Sequence, residues 1–169
     1  LRGMHRIREI DDAKVRLLGS GTILREVEAA ADLLRQDFEI PAEVWSVTSY
    51  TELRRDGLAR DREERLRGEA DEPWVARSLG GSSAPVIAAS DYLKALPDGI
   101  RAWVPGRFEV LGTDGFGRSD FRKHLRRFFE VDRHHVVVAA LDALAVEGDI
   151  ERSVVDDAIS EVNQLLKQF

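Results

Sequence analysis

Four short apolar segments alternate with segments of helical periodicity along this chain, and that alternation is what most restricts its fold. The apolar segments begin near Lys14, Ala42, Pro85 and Phe108, and a polar or glycine-containing loop follows each of them. Such a pattern is typical of βαβ units, in which helices cover both faces of a parallel sheet. The sequence therefore predicts an α/β fold of three layers, α/β/α, with a mostly parallel mixed sheet of about five strands.

The fifth strand is predicted at the start of the chain. Residues 3–10 alternate as a strand does, and Asp11 and Asp12 offer a turn after them. This segment could form an antiparallel edge strand, since a short turn reverses the chain.

The segments between the strands have the spacing of amphipathic helices. The predicted helices run from Ile23 to about Gln36, from Thr51 into the charged residues 60–67, from Tyr92 to Trp103 with a break or bend at Pro97, onwards from Phe121, across His135 to Leu141, and from about Ser153 to Leu166. Residues 135–141 are also compatible with a strand. A possible cap at Asp132 and a glycine at position 148 favour a helix there. Ser20 or Thr22 is expected to cap the first helix.

Composition excludes several classes of function. A chain of 169 residues that is 43% hydrophobic and 33% charged is suited to one globular domain. The absence of cysteine excludes a disulfide scaffold and thiolate chemistry. A net charge of -6 disfavours a nucleic-acid partner, and no apolar run reaches the roughly 18 residues of a membrane span. We expect a cytoplasmic protein without a nucleic-acid or membrane partner.

The sequence begins within a strand-like alternation of apolar and polar residues. Leu1 to Ile7 already alternate like a strand, and position 1 is not methionine. We interpret residues 1–169 as a single domain that is a fragment of a longer chain, whether natural or produced by truncation.

Polar loops follow all four apolar segments. Because the carboxyl ends of parallel strands share one edge of a sheet, ligands and partners usually bind there. The candidate loop or interface residues are Ser20, Thr48, Ser49, Asp91, Thr113, Asp114, Phe116, Arg118 and Asp120. If this edge binds a small molecule, a pocket is expected around Ser20, Thr48, Asp91 and Asp114.

The loop of residues 19–22 could cradle a phosphate. It lacks the lysine of a P-loop and the third glycine of a dinucleotide-binding fingerprint. A tight strand-to-helix turn is the favoured interpretation.

Residues 112–120 contain three glycines, two aspartates and an arginine. Asp114 or Asp120 could act as a general base or metal ligand, with Arg118 as a clamp for an anion. Alternatively, the aspartates cap the following helix, Arg118 pairs with one of them and Phe116 fills an interface. The second interpretation is favoured because no further carboxylates or histidines converge in the sequence. We assign no catalytic, cofactor-binding or metal-binding residue to this chain.

A basic cluster occurs in this otherwise acidic chain. It consists of Arg122, Lys123, Arg126 and Arg127, with Arg133 nearby. Such a helix face is either a solvated surface or a docking site for an acidic partner.

Several segments together resemble the C-terminal domain of the homodimeric pyruvate dehydrogenases. The matching segments are residues 17–25, 44–53 with 55–57, 85–92 with 103–105, 111–120, 128–132 and 136–141. The most distinctive is the loop from Leu111 to Asp120. The resemblance covers nearly the whole chain, in order.

The resemblance implies that this domain is the last of three α/β domains and is similar to the C-terminal domain of transketolases. In that family, thiamine diphosphate and magnesium bind between the first two domains, so neither is expected on this chain. The family decarboxylates pyruvate and acetylates a lipoyl group on an acyltransferase core, and the cofactor supplies the chemistry. The implied partners are the other domains of its own chain, a second copy in a homodimer, and the acyltransferase core. The isolated chain is expected to be inactive and to support dimerisation and packing.

Two departures from the family leave alternatives open. Residues 60–69 are charged where the family has an aromatic and asparagine segment, and the tail beyond Asn163 diverges. Another 2-oxo acid is therefore a possible substrate. A stand-alone domain of the same fold, binding a protein or a small ligand, is the alternative function.

Overall fold

A computed structural model describes residues 2–167 of the chain, with side chains up to Gln164. The strands are β1 (Met4–Arg8), β2 (Val15–Gly19), β3 (Ala42–Val47), β4 (Val86–Ala89) and β5 (Phe108–Leu111). The helices are α1 (Leu24–Phe38), α2 (Tyr50–Arg67), α3 (Trp74–Leu79), α4 (Ala95–Asp98), α5 (Arg122–Phe128), α6 (Arg133–Glu147) and α7 (Arg152–Lys167). Single turns of 3₁₀ helix occupy Gly21–Ile23 and Arg101–Trp103.

The strands form one sheet in the order β1-β3-β2-β4-β5. β1 is antiparallel to β3, whereas all other neighbouring strands are parallel. In the centre, Leu17 lies opposite Val44 on one side and Ile87 on the other. The predicted mixed, mostly parallel sheet of five strands and its antiparallel edge strand are confirmed.

Alternate residues of the strands enter two separate cores. Leu17 and Ile87 belong to a core that includes apolar residues of α1, α6 and α7. Leu18 and Ala88, one position further along, belong to a core with residues of α2 and α3. Strands that are buried on both faces read as continuous apolar runs, which is why these segments stand out in the sequence. The three-layer arrangement follows from this double burial.

The interpretation of residues 135–141 as helix is confirmed. The Asp132 side chain accepts hydrogen bonds from the backbone N–H groups of His134 and His135, each at 3.1 Å. Gly148 ends α6 with φ of 84°, a left-handed conformation that glycine adopts without strain. Asp12, also with a positive φ, lies in the predicted turn after β1.

The helix predicted from Tyr92 to Trp103 is interrupted, as expected, but it starts later than predicted and breaks at residues 99–100 instead of at Pro97. Residues 91–94 are not helical. The carbonyl groups of Asp91 and Tyr92, which a helix would pair with N–H groups four residues later, accept hydrogen bonds from Thr113 instead. The side chain of Ser90 accepts a hydrogen bond from the N–H of Tyr92, and Asp114 accepts one from that of Lys94. Helix formation is therefore restricted to α4 and the following 3₁₀ turn.

Two further differences concern local signals. Neither Ser20 nor Thr22 caps α1, since no side-chain cap is present at the start of that segment. Helix α2 begins at Tyr50 and is capped by Ser49, whose side chain accepts a hydrogen bond from the N–H of Glu52 at 3.2 Å. Helix α3 was not anticipated.

One carboxylate joins three helices. Glu26 on α1 is buried, and it accepts hydrogen bonds from Nη1 of Arg126 at 2.7 Å and from Nε of Arg133 at 2.9 Å. Burial alone would raise the pKa of Glu26, but the hydrogen bonds and charges of Arg133 and Arg126 hold that pKa below its usual value. This contact fixes α5 and the start of α6 against α1.

We therefore expect the free energy of unfolding to fall on acidification because Glu26 must be protonated. A carboxylate whose pKa is lower in the folded state stabilises above its unfolded pKa, near 4.3, and that contribution is lost as the pH falls through the folded value. Glu26→Gln should cost about 2 kcal/mol at neutral pH by leaving two partly buried arginines uncompensated. Urea unfolding between pH 7 and pH 3 measures both effects. An equal acid sensitivity of the two proteins would contradict this role.

Candidate functional site

The carboxyl ends of β2 and β4 meet at the point where the direction of chain progression reverses across the sheet. From β2 the chain passes to β3 on one side, and from β3 it returns past β2 to β4 on the other. The hydroxyl of Ser20 donates to that of Ser90 across this junction at 2.9 Å, and both side chains are buried. Ligands in open α/β sheets commonly bind at such a switch point.

The loop after β2 is a tight strand-to-helix turn, which was the interpretation favoured from the sequence over a phosphate cradle. A Cβ atom on Gly19 would lie 2.8 Å from Cα of Leu24, so the turn packs directly against α1. Ser20 is buried against Ser90 and does not point a hydroxyl into an open cradle.

The loops after β4 and β5 are connected by three hydrogen bonds. The hydroxyl of Thr113 donates to the carbonyl of Asp91 at 2.6 Å, and the N–H of Thr113 donates to the carbonyl of Tyr92 at 2.9 Å. The carboxylate of Asp114 accepts from the N–H of Lys94 at 3.0 Å. The structure thus brings Ser20, Asp91, Thr113 and Asp114 together along one part of the edge.

Thr48 and Ser49 lie elsewhere. Their backbone N–H groups both donate to the carbonyl of Gly3, which connects the end of β3 to the start of β1. The expected pocket around Ser20, Thr48, Asp91 and Asp114 is therefore wrong as a set. Of the four, only Asp91 lines the cleft at this edge, and Thr48 lies apart from the other three. The reason is the strand order, which places β1 and β3 on the side of β2 away from β4.

In the loop of residues 112–120, each aspartate has a structural partner. Asp120 accepts hydrogen bonds from the N–H of Phe121 at 2.7 Å and from Nδ1 of His124 at 3.1 Å. The hydrogen bond from the Phe121 N–H lowers the pKa of Asp120 most, and His124 and the charge of Arg118 lower it further. A carboxylate held ionised in this way is a weak proton acceptor, so it does not suit a general base.

Arg118 behaves differently from the expectation that it pairs with an aspartate. Its guanidinium stacks over the ring of Phe128 at 4.0 Å from the centroid, a cation–π contact. Asp114 lies near α4, not at the start of α5. Among the described residues, no three His, Cys, Asp or Glu side chains gather as a metal site.

Exposed apolar side chains surround these loops. We call Tyr92, Leu93, Phe116, Phe121 and Phe128 the strand-end surface, and all five are exposed. Phe116 is 97% exposed and Phe121 79%. Clustered apolar groups of this size mark interaction sites on proteins. Phe116 was expected at an interface, whereas the other four were missed.

A cleft of about 680 Å³ opens beside this surface, and Tyr92 and Leu93 contribute to its wall. Its wall combines apolar and cationic side chains with hydroxyl groups from two loops. The lining residues include Thr22, Ile23, Asp91, Thr113, Arg118, Arg122 and Phe129. The sequence feature that could have revealed the surface is the recurrence of aromatic residues on both sides of the glycine-rich loop.

Gly115 has φ of 93°, a conformation that β-branched residues rarely adopt. We expect Gly115→Val to lower the free energy of unfolding by about 1 kcal/mol or more because of backbone strain alone, as nothing would contact its Cβ. Gly117→Val in the same loop is the matched control, since Gly117 has neither a positive φ nor a neighbour within 4 Å of a Cβ. Equal melting temperatures for the two variants would remove the strain argument.

No helix among residues 2–167 is long and apolar enough to cross a membrane.

Comparison with known proteins agrees with the resemblance described above. Residues 3–132 match the family model described as "Transketolase-like TK C-terminal domain". "Pyruvate dehydrogenase E1 component" of Pseudomonas aeruginosa is 61% identical over 150 residues, covering 87% of this chain and 17% of that protein. The protein of the same name from Cupriavidus necator is 48% identical over 169 residues, covering 96% of this chain and 19% of that protein.

A crystal structure of a transketolase variant from Pichia stipitis has a TM-score of 0.62 at 18% identity. The match covers 88% of this chain and 19% of that one, and at this identity it shows the shared fold. The chain spans less than a fifth of the length of the curated relatives named above. Since the family model accounts for most of its length and the fold is that of transketolases, the chain belongs to the family of transketolase-like C-terminal domains.

Proposed function

We propose that this chain is the C-terminal domain of a pyruvate dehydrogenase E1 component and that it supports assembly without taking part in the chemistry. The observation that carries the proposal is the strand-end surface, an exposed apolar face on a domain whose relatives are several times longer. The whole enzyme would decarboxylate pyruvate with thiamine diphosphate and magnesium and acetylate a lipoyl group in the cytoplasm. A fold of this kind serves many functions, so the identity of the relatives supports the substrate more than the fold does.

The residues of this chain do not fit the cofactor. A magnesium ion bound to a diphosphate needs a set of oxygen ligands. The described residues contain no cluster of three or more acidic or histidine side chains that could supply one. Asp91 and Asp114 belong to neighbouring loops, but Asp114 is already engaged by the backbone of Lys94. We assign no catalytic step to this chain, and the placement of the cofactor in other domains stays a prediction.

The strand-end surface suits packing against other domains of a longer chain or its homodimer partner. Burying a phenylalanine side chain contributes about 1.5–3 kcal/mol, so several such residues left in water forgo a large stabilisation. Hydrogen bonds of Thr113 and Asp114 hold the segment that carries Tyr92 and Leu93 in place, and Phe121 and Phe128 lie at the two ends of α5. A preformed apolar surface loses little conformational freedom when a partner covers it.

Pyruvate is favoured over another 2-oxo acid because the main departure from the family lies away from the strand ends. Residues 60–67 form the last two turns of α2, and most of them are exposed. Arg60 pairs there with Glu63 at 2.8 Å, on the surface of the helix. A change at this end of α2 therefore gives no reason to alter the substrate.

The native polypeptide tests the proposal directly. An antibody against this chain should isolate from the source cells a polypeptide roughly five to six times its 19.0 kDa, because the chain spans 17% to 19% of its relatives. That polypeptide should release carbon dioxide from pyruvate only when thiamine diphosphate and magnesium are added. A native mass of 19 kDa, or a preference for another 2-oxo acid, would contradict the proposal.

The assembly role makes a separate prediction for the long polypeptide. Phe116→Asp with Phe121→Asp should lower its melting temperature by several degrees and weaken its dimer, since charges would enter an apolar interface. The same pair in the 169-residue chain should leave stability nearly unchanged, because both side chains are exposed there. Leu58→Asp with Leu66→Asp, at exposed positions on α2, is the matched control. Equal effects of the two pairs on the long polypeptide would exclude a special role for the strand-end surface.

A further inference from the structure

Charge is distributed unevenly along this chain. Residues 118–133 contain six Lys or Arg and three Asp or Glu, a net charge of +3. The remaining positions contain 19 basic and 28 acidic residues, a net charge of -9. A short basic segment in an acidic protein gives its surroundings a local potential opposite to that of the rest of the molecule.

The fold gathers these cations on one surface around α5. We call Arg118, Arg122, Lys123, Arg126, Arg127 and Arg133 the basic strip. A second cleft of about 520 Å³ lies along it, lined by five members of the strip with Glu26, Asp132 and His134. Arg122 and Arg126 line this cleft and also the cleft of the strand-end surface. The strip is therefore continuous from one cleft to the next.

Ion pairs hold part of the strip in place without neutralising it. Glu26 binds both Arg126 and Arg133, so one carboxylate orients two guanidinium groups. Asp132 lies 4.0 Å from Arg127 and serves mainly as the cap of α6. Cations oriented before a partner arrives lose less conformational entropy on binding, which increases the affinity for a negatively charged group.

The arrangement favours an extended acidic partner over a single small anion. A small anion needs several unpaired donors that converge on one point, but Arg126 and Arg133 converge on Glu26 instead. A chain of carboxylates gains from the summed potential of the whole strip. Phe121 and Phe128, both exposed on the same segment, offer apolar contacts between the charges.

From these observations we infer that the basic strip is a docking site for an acidic polypeptide segment in which carboxylates alternate with apolar residues. Carboxylates of the segment pair with Arg122, Lys123 and Arg118, and its apolar residues contact Phe121 and Phe128. The net charge of -9 on the remaining positions opposes any polyanion. A nucleic acid, with a charge on every phosphate, is opposed more strongly than a segment whose carboxylates alternate with apolar residues, which makes nucleic acid the weaker candidate. The docking site shares Phe121 and Phe128 with the strand-end surface, so at these two side chains the inference rests on the proposed function. It differs from the assembly role in its dependence on charge.

Fluorescence anisotropy with a labelled peptide of about twelve alternating Glu and Leu residues tests the docking site at low and high salt. We expect Arg122→Glu with Lys123→Glu to weaken binding about ten-fold or more. These substitutions place acidic residues in the first turn of α5, where they favour the helix, so folding should be retained. The matched control is Arg62→Glu with Arg65→Glu on α2, which alters the net charge equally at exposed positions.

Binding that is weakened by salt, lost in the α5 variant and kept in the α2 variant supports the site. An equal loss of peptide affinity in both variants would show that binding depends only on the net charge of the protein, and it would overturn the inference. It would also be overturned by no binding to the unsubstituted chain, or by a single-stranded oligonucleotide that binds more tightly than the peptide. Circular dichroism of both variants confirms that each compared protein is folded.

Discussion

The central position of β2 is the constraint on which the rest of this structure depends. It forms hydrogen-bonded ladders with β3 on one side and β4 on the other, and every one of its residues is buried. Because β2, β3, β4 and β5 run in the same direction, the loops at their carboxyl ends all reach one edge of the sheet. The buried pair of Ser20 and Ser90 joins two of those loops at the centre of the edge.

Charged and apolar side chains share this edge of the sheet, and Arg118 stacks directly on Phe128. The strand-end surface presents exposed apolar side chains, whereas the basic strip presents cations, two of which, Arg126 and Arg133, are oriented by Glu26. An apolar surface provides affinity once a partner covers it. A charged surface selects partners of opposite charge, and this selection weakens as salt is added. A domain that carries both is suited to joining larger parts, which agrees with relatives of much greater length.

The sequence predicted strands and helices correctly where a local pattern, such as an apolar run or a helix cap, agreed with the contacts in the fold. The double burial of β2 and β4 made them visible as apolar runs, and the cap at Asp132 with Gly148 identified α6. It failed where a distant group took over the backbone. Residues 91–94 have helical spacing, yet Thr113 donates to the carbonyl groups of Asp91 and Tyr92, which a helix would pair with N–H groups four residues later. Similarly, Ser20 has the right residue type for a cap, but its side chain is buried against Ser90 and makes no cap hydrogen bond.

What the sequence determined by itself was the fold class, the family resemblance and the residue types of the loop from 112 to 120, since these depend on patterns within short stretches. Only the tertiary structure decided which loops share a site. It joined Asp91 to Thr113 and separated Thr48 from them, because strand order is set by packing between elements far apart in the chain. It also showed that Arg118 stacks on Phe128 and that Glu26 binds arginines about a hundred positions away. Such contacts leave no trace in local spacing, as the partners meet only after the sheet and its helices have formed.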